Sequence, residues 1–475
     1  MLKYPQPEAV FRYFSELASI PHGSGHTELI REWALDTAKH LNLDAYADET
    51  GNVVIRKPAS PGYESHPRVI LQGHMDMVCA KLPDCNKDME TEGLDLIWGE
   101  EFLTADGTTL GGDDGIAIAY AFAILESDTI PHPPLTAVFT VDEETGMDGA
   151  AAISPDALEG TYLINIDSED EGIFTVGCAG GVRSHLCYPV QLSPAKGALV
   201  ALSLCGLTGG HSGTEIHKPL LNANTLMLHL LRSVPQKLRL CTWEGGIRDN
   251  VIPTDCTAEV VVPDPDAKAF IQAVTEKLDQ IKAEYPHESG VSLETTIAPN
   301  CELLAVEHTD ALLDALALLP NGVQKMNERL GMPQTSLNLG IFTLPEYGES
   351  MQVDALIRSG SNTEKRQLAD RLRQLAEQAG GSAAESGDYP AWEYVPDTVL
   401  EQTAVKVFCE LYGGEPKIET IHAGLECGIL NAKAPQLQCI SLGPDLFDIH
   451  TPRERLSIAS AARTWDFLLA LLKAL

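Results

Sequence analysis

Five short segments of the 475-residue chain carry histidine and carboxylate side chains at spacings that suit metal chemistry. They are QGHMDMV (72–78), LGGDDG (110–115), VDEETG (141–146), INIDSED (164–170) and FDIHTPRE (447–454). His74 and Asp76 follow an apolar run, and at i and i+2 they lie on the same side of an extended chain. An imidazole can bind zinc directly, and a carboxylate two residues on can hold the ion or orient the ring. By itself H-x-D reads more simply as a hydrogen-bonded turn. Asp113 and Asp114 follow two glycines and open a helical run, where aspartate also serves as a cap. Glu143 and Glu144 end an apolar strand; adjacent carboxylates repel, so they need solvent or a cation. Asp167 ends another strand, with Ser168, Glu169, Asp170 and Glu171 behind it. His450 lies between Gly443-Pro444 and Thr451-Pro452.

Together these residues say more than each alone. Two histidines and several carboxylates, each delivered from a strand end, make a mixed nitrogen and oxygen ligand set. Such a set suits zinc or a similar divalent ion, and carboxylates can bridge two. Two ions about 3.5–4 Å apart form a known hydrolytic arrangement. Ligands in open α/β sheets bind past the carboxyl ends of the strands, where most of these segments fall.

The elements that must deliver them follow from the apolar patterning. Helices are expected over 7–19 and after Thr27, strands over 52–56 and 68–72, a helix over 114–126, and strands over 135–141 and 162–166. Apolar strands alternating with helices predict an α/β unit with a mixed, largely parallel sheet and helices on both faces. From about Ser184 paired strands alternate with single helices, which predicts antiparallel α+β layers. Gly380, Gly381 and residues 382–390 read as an exit linker. A helix over 398–412, a strand over 438–442 and a closing helix over 456–475 restore the α/β character. The expected organisation is an α/β domain of residues 1–183 and 395–475, interrupted by an inserted α+β domain at 184–394.

At roughly 150 residues per domain the length allows two or three units. Hydrophobic residues at 44% and charged residues at 21% are ordinary for a globular chain, which excludes disordered and fibrous classes. With 33 basic and 68 acidic residues the net charge is −35. Such a chain repels phosphate backbones, so nucleic acid is excluded as a general partner. No apolar run is long enough to span a membrane, and the start lacks the pattern of a secretory signal. The 11 cysteines are scattered without a C-x-x-C. They are expected as free thiols in a cytoplasmic protein, and their spacing excludes a cysteine-rich zinc module.

In their shared order, TLGGDDGIAIA, DEETGMDGA, NIDSEDEG, GCAGG, GGHSG and HAGLECG resemble the aminoacyl-histidine dipeptidases, also called Xaa-His or cytosol non-specific dipeptidases. These belong to the co-catalytic di-zinc peptidases, and the resemblance covers essentially the whole chain. It implies a dipeptidase with two Zn2+ per chain, with Co2+ or Mn2+ able to substitute. It implies that His74, Asp113, Glu144, Asp167 and His450 are metal ligands. Asp113 would bridge, His74 and Asp167 would complete one site, and Glu144 and His450 the other. Asp76 would orient His74, and Glu143 would be the general base. In the insert, read as a lid, His211 of GGHSG would stabilise the oxyanion. Asn250 of RDNVIP and Arg358 of ALIRS would bind substrate, with Gly424 and Glu426 of HAGLECG near the substrate termini. Asp114 stands where close relatives often carry Asn, and His422 reads equally as a site or a loop histidine.

The implied reaction is hydrolysis of a dipeptide amide by a water that two cations acidify to a pKa of roughly 7. Glu143 would take its proton and deliver it to the leaving amine. An amidohydrolase acting on N-acyl amino acids, or a tripeptidase, would use the same metals. A metal-binding protein without catalysis would keep the ligands but need no Glu143. The chain has no G-x-S-x-G elbow of a serine hydrolase. In shorter members of the family a single-layer lid pairs with its twin and supplies the lid histidine to the partner. The insert here exceeds one such layer of about 100 residues. Any homodimer is therefore expected to keep each active site, His211 included, within one chain.

Overall fold

The computed structural model describes residues 4–475. The chain divides into two compact units. One takes the chain up to Cys178 together with Tyr394–Thr420 and Leu425–Leu475; the other takes Ala179–Glu393 and Ile421–Gly424.

The first unit is built on an eight-stranded sheet. Its order is Asp44–Ala47, Val53–Lys57, Leu135–Thr140, Val69–His74, Tyr162–Asn165, Gln438–Ser441, Ile173–Cys178, Lys417–Ile421. The four strands from Leu135–Thr140 to Gln438–Ser441 run parallel. Every residue of Leu135–Thr140, Val69–His74 and Tyr162–Asn165 is buried, so this part of the sheet is covered on both faces. The helix Gly112–Glu126 is apolar all round and buried from Ile116 to Leu125, as a helix inside a core must be. Its start lies against a strand end. A Cβ on Gly73 would stand 2.4 Å from Asp114 Oδ2 and 2.6 Å from Ala117 Cβ, so only glycine permits the approach.

The second unit holds a nine-stranded sheet. Its order is Ser292–Val306, Leu192–Cys205, Cys256–Val262, Arg239–Gly245, Met332–Leu344, Ser350–Ser359, Gly180–Pro189, Ser382–Tyr389, with Gly322–Asn327 beside Met332–Leu344. Its pairs are antiparallel. Helices Ala223–Ser233, Ala267–Glu284, Thr309–Ala317 and Asn362–Gln378 share its core with inward residues such as Val182, Leu186, Val200 and Leu202. The edge strand Ser292–Val306 has 15 residues, broken by Pro299 and by Asn300 at φ 56.

Three local readings need correction. Residues 382–390 are not a linker, because Ser382–Tyr389 is a strand paired with Gly180–Pro189. Its Glu385 meets Arg366 and Arg373 of the helix Asn362–Gln378, and its glycine and serine content hid this alternation. Asp113 and Asp114 lie within the span of the helix but have non-helical φ and ψ. Glu143 and Glu144 do not end a strand; they open the short helix Glu143–Gly146. No helix among the described residues is long and apolar enough to cross a membrane.

Candidate metal centre

His74 ends the strand Val69–His74 and is 1% exposed. Its Nδ1 lies 2.9 Å from the backbone oxygen of Asp76. A carbonyl only accepts, so Nδ1 carries a proton and donates it. In the neutral ring the Nε2 lone pair is then left for a ligand. That atom lies 3.0 Å from Asp113 Oδ1 and 3.7 Å from Asp167 Oδ1. Asp76 thus orients His74 through its main chain, with its carboxylate 3.4 Å from the same Nδ1. That carboxylate also accepts from Ser24 Oγ at 2.7 Å and from the Glu143 and Glu144 N–H groups at 3.0 and 3.4 Å. Asp76 therefore ties the His74 strand to the turn that carries both glutamates. Burial alone would raise its pKa, but the His74, Ser24 and Glu143 bonds outweigh burial and lower it.

Asp113 faces two histidines through different oxygens. Oδ1 meets His74, and Oδ2 lies 3.1 Å from His450 Nε2. His450 Nε2 is in turn 2.8 Å from Glu144 Oε1, a buried oxygen. Two residue groups place their ligand atoms within 4.8 Å of one another: His74, Asp113 and Glu144, and His74, Asp114 and Asp167. Asp114, absent from the expected ligand set, falls in the second. It is 2% exposed and accepts the His74 backbone N–H at 3.1 Å.

The electrostatics show what this crowd lacks. Burial, then the nearby Asp167 carboxylate, pushes Glu143 up to about 9. Hydrogen bonds to Asp113 and Glu144 push His450 up to about 10. Burial opposes charge on His74, yet Asp113, Asp167 and Asp76 hold its pKa well above the usual imidazole range. Protons here stand in for missing positive charge, and divalent cations displace protons from such ligands. The nitrogen and oxygen donors and the bridging placement of Asp113 fit a pair of divalent ions.

Glu454 is a residue that sequence reasoning missed. It is 3% exposed, and its carboxylate accepts from the N–H groups of Leu110, Gly111, Gly112 and Asp113 at 2.8, 3.2, 2.8 and 3.4 Å. It thereby joins the His450 loop to the Asp113 loop. It lay within a motif already singled out, but spacing alone does not separate a buried acceptor from a surface acid.

Glu426 is fully buried. It accepts from Gln72 Nε2 at 2.6 Å and Thr140 Oγ1 at 2.7 Å, while Asn165 donates to Gln72 Oε1 at 2.7 Å. Gln72 and Asn165 stand two residues before His74 and Asp167, so this polar layer lies one pleat beneath the ligands.

In the second unit, His211 and Arg358 come together. Arg358 is 6% exposed and donates to Tyr389 Oη at 2.9 Å, and its buried Nε has no hydrogen bond. Among the described residues no carboxylate pairs with it. His211 Nδ1 accepts the Thr214 N–H at 3.2 Å, which leaves the proton on Nε2, 3.4 Å from Arg358 Nη2. Two donors side by side suit an anion. A Cβ on Gly213 would stand 2.4 Å from His422 O, 2.9 Å from His211 Cε1 and 3.2 Å from Arg358 Nε, so glycine lets the three converge. His422 is buried, with Nε2 2.7 Å from Ser336 Oγ; burial, then Arg358 and His211, pushes its pKa down to about 3. Asn250 and Gly424 are half-buried in the same unit, and the Asn250 main-chain oxygen accepts the Ser212 N–H at 2.9 Å. The HAGLECG motif is therefore divided, Gly424 in one unit and Glu426 in the other.

Comparison with known proteins agrees with this chemistry. The peptidase family M20/M25/M40 matches residues 70–474. The chain is 34% identical to the cytosol non-specific dipeptidase of Escherichia coli strain K12, over 98% of this chain and 97% of that protein. The crystal structure of aminoacylhistidine dipeptidase from Vibrio alginolyticus aligns with a TM-score of 0.92 at 34% identity, covering 99% of this chain and 97% of that one. The aminopeptidase PepT of Bacillus cereus aligns with a TM-score of 0.57 at 15% identity, over 98% of both chains, and shares the fold.

Proposed function

The chain belongs to the peptidase family M20/M25/M40, and from that premise we propose that it is a zinc-dependent dipeptidase acting on Xaa-His and other dipeptides. The observation that carries this reading is the Asp113 carboxylate, with one oxygen toward His74 and the other toward His450. His74 and Asp167 would hold one ion, Glu144 and His450 the other, with Asp113 shared and Asp114 close behind. When bound, such ions supply a water of lowered pKa and a Lewis acid for the scissile carbonyl.

The chain's own groups do the rest. Glu143, pinned through its N–H by Asp76, takes the proton of the attacking water and delivers it to the leaving amine. Arg358, buried with no carboxylate paired to it among the described residues, pairs with the substrate carboxylate, which a guanidinium can grip through two parallel bonds. The Nε2–H of His211 donates to the oxygen on which charge develops. Asn250 and Gly424 line the substrate, and Glu426 supports Gln72 and Thr140 beneath the ligands.

The test is an assay of the metal-reconstituted protein on Ala-His, β-Ala-His, Ala-Ala, N-acetyl amino acids and tripeptides, with a chelator control. Dipeptides are expected to be cleaved far faster than the rest, with about two ions per chain by elemental analysis. Faster cleavage of N-acetyl amino acids would replace the reading with an amidohydrolase.

A further inference from the structure

Within the second unit, the strands Ser350–Ser359, Gly180–Pro189 and Ser382–Tyr389 lie side by side. Their register sets Asp354 opposite His185, and Ser386 opposite Arg183. Residues opposite one another share a face of a sheet, as do residues i and i+2 of one strand. Asp354, His185, Arg183 and Ser386 therefore project together from one face. The alternate residues Val182, Ser184 and Leu186 are buried on the other face, so the four point away from the core.

On that face the side chains form a chain of hydrogen bonds. Asp354 Oδ1 lies 2.7 Å from His185 Nδ1, and His185 Nε2 lies 2.7 Å from Ser386 Oγ. A carboxylate only accepts, so Nδ1 carries the proton. The neutral ring then leaves Nε2 as an acceptor, and the Ser386 hydroxyl donates to it. This is the polarity of a Ser–His–Asp relay, which is defined by geometry and not by sequence position. A second observation concerns the next residue. Gly387 has φ 57, and a Cβ there would stand 2.4 Å from Arg183 Nη1. The guanidinium thus lies over the residue that follows the serine, and the Asp249 carboxylate holds it there through Nε.

We propose that Ser386, His185 and Asp354 form a second, metal-independent nucleophilic site that takes activated acyl donors, with Arg183 facing the oxyanion. Ser386 Oγ forms a bond to the acyl carbon as the bond to the leaving oxygen or sulfur breaks. The hydroxyl proton passes to His185 Nε2 and then to the leaving group. Water attacks the acyl-serine, gives its proton to Nε2, and the acid departs as Ser386 regains the proton. The openness of the face sets the substrate class. His185 and Asp354 have side chains 39% and 37% exposed, so solvent screens their field. Aryl esters and thioesters, whose leaving groups need little help, fit such a site; peptides do not.

The experiment uses the full chain, stripped of metal and kept in chelator. It is treated with a fluorophosphonate probe and assayed on p-nitrophenyl acetate, with the labelled residue located by peptide mass spectrometry. Ser386 is expected to carry the probe. Ser386→Ala and His185→Gln should each lose that label and lower the chelator-resistant esterase rate by at least ~10-fold. Arg183→Met should lower kcat with KM unchanged. All three positions lie on the outward face, and an unchanged unfolding temperature would show that each variant is folded. If Ser386 takes no probe, or Ser386→Ala keeps the rate, the three residues are only a cross-strand hydrogen-bond chain and the proposal falls. Because the site lies among residues not assigned to peptide hydrolysis and is read in chelator, its failure leaves the dipeptidase reading untouched.

Discussion

The strand ends, loops and helix starts of the first unit crowd Asp76, Asp113, Asp114, Glu143, Glu144 and Asp167 around His74 and His450. The second unit does the reverse, burying Arg358 beside His211 and His422 with no carboxylate paired to it among the described residues. Uncompensated buried charge is destabilising by several kcal/mol or is relieved by shifted protonation. The second response is present: burial and the Asp167 carboxylate push Glu143 up to about 9, and burial beside Arg358 pushes His422 down to about 3. The lesson is that neither cluster is balanced by the described residues around it. One has the chemistry to receive cations and the other to receive an anion.

The largest expected effect breaks the first cluster without emptying it. Glu143→Gln keeps size but cannot act as a base, and turnover should fall at least ~100-fold with metal retained. Glu144→Gln should instead weaken metal binding. Elemental analysis beside kcat would separate the two, and swapped phenotypes would reverse their roles. The matching change in the second cluster is Arg358→Met, for which kcat/KM on dipeptides should drop about 100-fold. Wild type given C-terminally amidated dipeptides should show a similar loss, and the variant should barely distinguish acid from amide. A variant that still prefers the free acid would remove Arg358 from carboxylate recognition.

Glu454→Gln probes the frame of the cation site. An amide cannot accept from four backbone donors as a carboxylate does, so metal affinity should fall about 10- to 100-fold. Turnover should largely recover at saturating metal, as competition with a fluorescent chelator would reveal. The smallest effect is on stability in acid. At pH above 6.5, the ordinary imidazole value, His422 is neutral in folded and unfolded chains alike. Between there and its folded value of about 3 only the unfolded chain gains the proton, so acid favours unfolding. His422→Asn removes this penalty, which grows by up to about 1.4 kcal/mol per pH unit. Urea unfolding at several pH values should show the variant gaining on wild type as pH falls, and parallel curves would refute it.

The sequence made the first cluster far more legible than the second. Parallel strands buried on both faces announce themselves as apolar runs, and ligands placed just past them inherit that signal. His74 and Asp167 were readable for this reason. The contact of Asp113 with both His74 and His450 was implied by the family resemblance and not by spacing, because His450 comes from a distant loop at φ 60. The support from Glu454 and the layer of Gln72, Asn165, Thr140 and Glu426 were hidden too, since hydrogen bonds between distant residues leave no periodicity. In the second unit Arg358 looks like any arginine on a strand. Only packing reveals that it is buried with no carboxylate beside it among the described residues. The strand Ser382–Tyr389 was missed because its small and polar residues mimic a loop.

The edge strand Ser292–Val306 bears on a different matter, how this chain avoids sticking to itself. A long open edge offers a row of unpaired main-chain groups on which a second chain can grow. Ile297 and Leu304 are 40% and 42% exposed, which would add apolar adhesion to such growth. Between them stand Pro299, which has no N–H to offer, and Asn300 in the left-handed region. The partner strand also shifts register between Gly197 and Leu199. No uninterrupted run of the edge is therefore long and flat enough to template a fibril-like ladder. Replacing Pro299 and Asn300 with a regular strand pair would leave the chemistry intact and yet yield a protein that comes out of solution on storage.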